Sequence, residues 1–283
     1  MSGFYDAIVY IILASGTFVF LDNLCAQLSP PVALFIMSGI ALVCFHYLAR
    51  AQLETTYRKV LHYWPLYLTL SIALGIDWLC MIYASRRSDP FVTMTAMFAT
   101  TSFCGFAFMY KKSSDLFHLL SMGLLVGSLI LLHYIYKLDH TKILDLGILL
   151  GVMAGLAYFV YMVFSEEICR KADLSTLELL ASRFWPLFLG TGFWVSSEEI
   201  AHALSLFGGS LVLMSLMALV IPVYFNQQAI NKLGAGITAI LMSSVPAVTF
   251  LFYCLYHGRI SMANLFVCIV ISLALIIPRL FKR

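Results

Sequence analysis

Ten apolar stretches, each about 20 residues long, constrain the fold of this chain more than any other feature of its sequence. As a helix, such a stretch is long enough to cross the roughly 30 Å hydrocarbon core of a bilayer. The ten are residues 5–21, 31–49, 64–84, 90–110, 116–136, 144–164, 177–195, 209–230, 234–256 and 262–278. The sequence therefore predicts an all-α integral membrane protein with ten transmembrane helices and no soluble domain.

The composition agrees with lipid as the main solvent of the chain. Hydrophobic residues make up 62% of the 283 residues, and only 11% are charged. Such proportions are typical of membrane proteins and exclude an ordinary soluble domain. The net charge of +3 is better explained by membrane topology than by binding to nucleic acid.

The distribution of Lys and Arg predicts that both termini are cytoplasmic, because basic residues near span ends are retained on that side. On the side of the N-terminus the basic residues are Arg50, Arg58, Lys59, Lys111, Lys112, Arg170, Lys171, Lys232, Arg279, Lys282 and Arg283. On the other side they are Arg86, Arg87, Lys137, Lys142 and Arg259. We therefore expect a multi-pass protein of the bacterial inner membrane with both ends inside.

The two halves of the chain share weak similarities that occur in the same order. At an offset of about 145 residues, the segment 88–103 (SDPFVTMTAMFATTSF) aligns with 233–250 (LGAGITAILMSSVPAVTF), and Thr93 meets Thr238. Five spans is an odd number, so a second set of five enters the membrane in the opposite orientation. The sequence thus predicts two inverted five-helix repeats, residues 1–140 and 141–283, within one membrane domain.

The order of features along the chain also points to a known family. "SPPVALFIMSGI" opens the second span, "SVPAVTFLFYCLYHGRIS" lies in the ninth, and a short last helix precedes a basic tail. Over essentially the whole chain this order resembles the ten-helix EamA-type members of the drug/metabolite transporter superfamily. Pro246 and Arg183 match family positions in the ninth and seventh helices. At the corresponding positions of the first half, Thr101 and Met37 stand in place of the family's proline and arginine. The Gly-Glu pairs that family members commonly carry just after the fourth and ninth helices are absent.

The resemblance implies a fold and a mechanism. Members of this superfamily are baskets of ten helices around a central cavity, and they move small metabolites by alternating access without an ATP-binding part. This chain likewise has no GxxxxGK[ST] phosphate-binding loop. We expect no cofactor and no metal site, since its histidines and cysteines show no metal-ligand spacing.

Asp77 is the most informative polar residue, because it lies in the middle of the third span in "LGIDWLCMIY". A charged side chain facing lipid costs about 2.5–3.5 kcal/mol, so we expect this carboxyl to face the interior of the bundle. Two interpretations remain open at this point. Asp77 is either a structural carboxyl bonded to a neighbouring helix, or a cavity residue that binds a cationic group or carries a coupling proton.

Other polar and aromatic residues inside spans complete the predicted binding site. Arg183 either extends its side chain to the headgroups or meets a carboxylate inside the bundle. Asn226 follows Pro222 on one helix face and suits a helix–helix contact and a substrate contact equally. An acid beside a Trp, with tyrosines nearby, is the composition of a cation-binding aromatic site. The predicted substrate-binding residues are Asp77, Trp78, Met81, Tyr158, Tyr161, Arg183, Asn226 and Gln227.

Glycines recur at a spacing of four in two spans, as Gly123–Gly127 and as Gly147–Gly151–Gly155. This spacing places small residues on one helix face and permits a close approach of two backbones. We expect both ladders to serve packing within the bundle rather than a dimer interface.

A secondary transporter of small polar metabolites, such as amino acids or amines, is the leading functional interpretation. A choline-like quaternary amine uptake carrier and a flippase-type subunit for lipid-linked sugars are the alternatives. An enzyme is not expected, because an intramembrane aspartyl protease needs two facing carboxyls and no second aspartate lies at mid-membrane depth. The expected partners are a small-molecule substrate, a coupling proton or ion and the bilayer, with no nucleic acid, for a monomer or homodimer.

Overall fold

The computed structural model describes residues 2–25, 27–113, 115–139, 143–258 and 261–280, and all regular elements in these ranges are helical. The first half holds α1 (Ser2–Cys25), α2 (Pro30–Leu48), α3 (Leu53–His62), α4 (Trp64–Ser85), α5 (Pro90–Ser113) and α6 (Leu116–Asp139). The second half holds α7 (Ile143–Ala172), α8 (Thr176–Arg183), α9 (Trp185–Gly192), α10 (Ser197–Met214), α11 (Ile221–Leu233), α12 (Ala235–Leu241), α13 (Val245–His257) and α14 (Met262–Leu280).

Within the described residues, eight helical stretches are long and apolar enough to cross a membrane. They are Ser2–Val19, Pro30–Leu48, Trp64–Ser85, Pro90–Lys111, Leu116–Tyr136, Leu146–Ala172, Ser197–Leu233 and Ala235–Tyr256. Large apolar side chains such as Val43, Ile130 and Leu255 are exposed on the outside of the bundle. Lipid tolerates such a surface, whereas water does not. The prediction of an all-helical chain with membrane-spanning segments is therefore confirmed.

Some parts of the sequence prediction are not decided by these helices. The boundary between the predicted repeats, at residues 140 and 141, lies outside the described residues. The same holds for the basic residues Lys142, Arg259, Lys282 and Arg283. The count of ten spans, the repeat and the orientation stay predictions.

The seventh predicted span, residues 177–195, is broken in its middle. α8 ends at Arg183, and α9 begins at Trp185 with Pro186 in its first turn. Proline has no N–H and disfavours a helical conformation in the residue before it, so the helix stops and restarts. The same Trp-Pro pair begins α4, where Trp64 and Pro65 follow the short α3. The break leaves Arg183 at a helix end inside the bundle.

The eighth span contains a wide turn just before Pro222. The six residues Ser215–Val220 are π-helical, and the N–H of Ile221 bonds to the carbonyl of Leu216, five residues earlier. A missing proline N–H and a π-turn are both recognised causes of local helix distortion. Thr17 on α1 donates its hydroxyl to the carbonyl of Met217 at 2.8 Å. The distorted turn is thus attached to α1.

Two groups of helices surround the centre of the bundle. α4 and α5 pack against α7, and α11 and α13 pack against α1. α2 packs against α9, α6 against α14, and α12 against α5. The larger apolar core lies around the middle of the bundle, and a second one lies mainly between α5, α6 and α14.

The contact between α5 and α7 depends on glycine. A Cβ atom added at Gly155 would lie 2.2 Å from the main-chain oxygen of Met97, and one at Gly151 would lie 2.8 Å from the Cβ of Ala96. The predicted packing of the ladder on α7 is therefore confirmed. For the ladder on α6 the same prediction is wrong, because the described residues place nothing within 4 Å of a Cβ at Gly123 or Gly127.

Gly155→Ala is expected to destabilise the protein by about 1–3 kcal/mol, because the added methyl group meets a main-chain carbonyl that moves only if α5 moves. Gly123→Ala is the matched control, since it adds the same methyl group where there is space and improves helix propensity by about 1 kcal/mol. Thermal unfolding of both variants in one detergent measures the difference. Equal melting temperatures would contradict the close α5–α7 contact.

Candidate functional site

A cavity of about 30 Å³ lies in the middle of the bundle. This volume is enough for one or two water molecules. Its wall comes from both halves of the chain and mixes apolar, aromatic and charged side chains. The wall residues are Tyr10, Ala14, Thr17, Phe18, Leu74, Asp77, Trp78, Met81, Met97, Tyr158, Tyr161, Arg183, Ala218, Val223 and Asn226.

The structure brings seven of the eight predicted binding residues together at this cavity. They are Asp77, Trp78, Met81, Tyr158, Tyr161, Arg183 and Asn226. The residues from α4 share one helix face, because their spacing of three to four repeats the helical turn. Gln227 is not part of the wall and lies behind Tyr161, to which it is hydrogen-bonded at 2.7 Å. Their role in binding a substrate stays a prediction.

The contribution of α1 was missed by the sequence reasoning. Tyr10, Ala14 and Thr17 line the cavity, and the hydroxyl of Tyr158 donates to that of Tyr10 at 3.0 Å. These three positions of α1 follow the spacing i, i+4, i+7 and so share one helix face. This spacing was the only signal in the sequence that these residues share a face. One small and two moderately polar side chains at that spacing are also found in ordinary helix packing, so they do not indicate a cavity.

Three buried polar atoms at the cavity have no hydrogen-bond partner among the described residues. They are Oδ1 of Asp77, Nε of Arg183 and Oδ1 of Asn226, in side chains that are 3%, 1% and 1% exposed. A buried polar atom without a partner costs about 1–3 kcal/mol, so such atoms are rare and concentrate at functional sites. Because Oδ1 of Asp77 has no partner, it does not support the interpretation of Asp77 as a carboxyl bonded to a neighbouring helix.

Arg183 is held in place by aromatic side chains. Its guanidinium carbon lies 4.8 Å from the ring centres of both Tyr161 and Phe184, and Nη1 donates to the hydroxyl of Tyr161. A guanidinium over aromatic faces is favourable, and more so without water. Because Arg183 is buried, the first of its two interpretations, an extension to the headgroups, is wrong. Among the described residues no ion pair joins Arg183 to Asp77, although both face the cavity.

Gln227 connects this cluster to the surrounding helices. Its Oε1 accepts from the hydroxyl of Tyr161 at 2.7 Å, and its Nε2 donates to Asn231 at 3.0 Å. Asn231 in turn donates to the hydroxyl of Thr176, the first residue of α8, at 3.1 Å. The chain of hydrogen bonds therefore runs from Arg183 through α7 and α11 back to α8. It fixes the orientation of Arg183, and beyond Tyr161 its members lie outside the cavity wall.

Polar contacts close the bundle at the end where α1 begins. Lys232 at the end of α11 donates to Asp6 at 2.6 Å, and the main-chain N–H of Ala235 donates to Glu166 of α7 at 2.6 Å. Asp6 lies one helical turn before Tyr10 on the same face of α1. The ion pair therefore lies about one helical turn beyond the cavity, toward this end of the bundle.

Fold and site define a helical bundle with membrane-spanning segments and a buried polar cavity. No protein-family model and no curated protein matches the chain. Nineteen chains of solved structures do match it. One, described only as a crystal structure of a protein, has a TM-score of 0.70 and 16% identity over 100% of this chain and 99% of its own. At this identity the similarity establishes the fold alone. The same fold extends over nearly the full length of that solved protein.

Tyr161→Phe is expected to destabilise the protein by about 1–3 kcal/mol, because Nη1 of Arg183 and Oε1 of Gln227 both lose a buried partner. Tyr83→Phe removes a hydroxyl from a tyrosine that is 41% exposed and should change stability by less than about 0.5 kcal/mol. Chemical unfolding of both variants in the same detergent measures the difference. A Tyr161→Phe protein as stable as the control would show that this network contributes nothing.

Proposed function

We propose that the protein is a secondary transporter that moves small polar metabolites, such as amino acids or amines, across the bacterial inner membrane by alternating access. One observation carries the proposal: a small cavity in the middle of the bundle has an acidic, a basic and an amide side chain with unpartnered atoms in its wall. Ionisable residues inside a membrane are costly, and where they face a cavity they mark substrate or ion pathways.

The proposal includes ten spans. It adds two elements to the eight long apolar helices: the interrupted pair α8–α9, over residues 176–192, and α14 (Met262–Leu280). A broken helix is tolerated at membrane depth where its free backbone groups are buried in protein or line a cavity. The break beside Arg183 meets this condition, since Ser182, Arg183 and Phe184 are all buried.

Helix contacts support an inverted repeat. If the five spans of each half correspond in order, α1 matches α7, α4 matches the α10–α11 span, and α5 matches the α12–α13 span. Under this correspondence, the contact between α4 and α7 has its counterpart between α11 and α1, and the contact between α5 and α7 has its counterpart between α13 and α1. The contact between α5 and α6 likewise corresponds to the one between α13 and α14. Each of these contacts is present. In transporters with such symmetry, the binding site lies at the interface of the repeats. The symmetry also agrees with the resemblance to the EamA-type drug/metabolite transporters.

The small size of the cavity favours a mechanism with a conformational change. Ligand pockets usually measure about 300–1,000 Å³, far more than the space found here. Binding of a metabolite therefore requires the surrounding helices to separate. Opening toward the start of α1 would break the ion pair between Asp6 and Lys232, whose ends lie on different helices. We interpret the structure as the closed state of an alternating-access cycle.

A quaternary amine carrier is the second candidate. The carboxyl of Asp77 lies in the same wall as Trp78, Tyr10 and Tyr158, and aromatic faces with an acid favour a cation. Arg183 in that wall counts against a lone cation, since like charges repel. Transport measurements with matched compounds separate the two candidates.

Transport is tested with purified protein in liposomes loaded with a mixture of amino acids, amines and quaternary amines, whose efflux is followed by mass spectrometry. Selective efflux of one class is expected. Ala14→Leu fills part of the cavity and should slow that efflux by about tenfold or more, since displaced binding groups lose their geometry. Ile8→Leu, on the exposed face of the same helix, is the control. Efflux equal to that of empty liposomes for all compounds would contradict the proposal.

Orientation is tested by labelling intact cells with a membrane-impermeant maleimide in a background without native cysteines. Ser197→Cys should react from outside, because the proposed seventh span ends just before it. Thr55→Cys should react only after permeabilisation, because it lies on the side of the N-terminus. Both positions are exposed in the structure. The opposite pattern would reverse the proposed orientation, and equal labelling of both from outside would contradict the span count.

A further inference from the structure

The unpartnered atoms of the cavity have a pattern that selects a particular kind of substrate. Oδ1 of Asp77 and Oδ1 of Asn226 are acceptors, whereas Nε of Arg183 is a donor. An ammonium group offers up to three donors and no acceptor, and a carboxylate offers acceptors only. One molecule that carries both groups would satisfy all three atoms.

We propose that the transported substrate is a small zwitterion, of the amino-acid type, whose ammonium group binds at Asp77 and Asn226 and whose carboxylate binds at Arg183. This assignment depends on the proposed transport function and states the substrate class of the same site. The two charged side chains make the cavity neutral as a whole. A zwitterion is neutral as well, so it enters without leaving a net charge buried.

The clamp on Arg183 explains why the substrate, rather than Asp77, is its carboxylate partner. The guanidinium carbon lies 4.8 Å from the ring centres of both Tyr161 and Phe184, and Nη1 donates to the Tyr161 hydroxyl. Gln227 fixes that tyrosine in turn. Arg183 therefore does not swing across the cavity to Asp77, and the two opposite charges stay available at separate places in the wall.

Single-charge analogues fail at this site for a simple reason. An amine without a carboxylate leaves the guanidinium of Arg183 buried and unpaired, and an acid without an amine does the same to Asp77. Removing one partner of a buried charge pair is strongly unfavourable. A site built to bind a polar group rejects the analogue that lacks it far more strongly than a merely apolar pocket does.

Apolar residues in the same wall set the expected body of the substrate. Leu74, Met97 and Val223 contribute aliphatic and thioether surface to the same wall. Apolar side chains bury favourably against such surface. Amino acids with aliphatic or aromatic side chains are therefore the first probes.

The test uses the full-length purified protein and two sets of matched compounds. One set is L-leucine, 3-methylbutylamine and 4-methylpentanoate, and the other is L-phenylalanine, 2-phenylethylamine and 3-phenylpropanoate. Binding is measured by thermal stabilisation and titration, together with the remaining protein amino acids and glycine betaine. We expect at least one zwitterion to bind, and its amine and acid analogues to bind at least about tenfold more weakly.

Asp77→Asn keeps the size of the side chain and removes its charge. Affinity for the zwitterion should fall by at least about tenfold, while affinity for the acid analogue stays equal or rises. Glu54→Gln makes the same change at an exposed position of α3 and should leave all affinities unchanged. The comparison of the three compounds on the unmodified protein decides the question even where a variant fails to fold.

The outcomes separate substrate class from transport. An amine that binds as tightly as its amino acid, or no binding by any zwitterion of the panel, overturns the proposal. A zwitterion that binds but does not exchange across liposomes leaves the recognition in place and contradicts transport. Exchange of an amine with no zwitterion bound contradicts the recognition and leaves transport standing.

Discussion

In the hydrocarbon part of a bilayer no water is available to the polar groups of a protein, so each must be satisfied inside the bundle. Most backbone groups meet this requirement within helices. The exceptions lie where the chain interrupts its helices, at Pro186, Pro222 and Pro246. Neighbouring helices supply partners there, as Thr17 does for the carbonyl of Met217. Polar side chains are concentrated near these interruptions, and the cavity lies among them.

Arg183 shows how this requirement shapes the site. A helix break places it in the interior, two aromatic ring centres lie 4.8 Å from its guanidinium carbon, and the Tyr161 hydroxyl accepts from Nη1. Nε is buried and has no partner in the part of the chain that the structure describes. The surrounding network therefore holds a costly buried charge in one orientation. Without the Tyr161–Gln227 connection, the same charge would have several orientations.

Much of the fold and of the cavity wall could be predicted from sequence, because a polar residue within a long apolar stretch is a strong signal. Asp77, Arg183 and Asn226 were found in this way, and their helices bring them together. The break after Arg183 and the π-turn before Pro222 could not be located from hydropathy, which averages over about 19 residues. The two interpretations of Arg183 could not be separated from sequence, because a long side chain suits a headgroup contact and a buried site equally.

The close approach at Gly155 limits how α5 and α7 can move relative to each other. With the Met97 carbonyl directly against the α7 backbone, a slide of α5 along α7 would push a side chain into that carbonyl, so the two helices form one rigid body. α1 makes only sparse contacts with α4 and α5 across the cavity. In the proposed alternating-access cycle, opening at this seam would also have to separate α5 from α12 and α13, which pack against it.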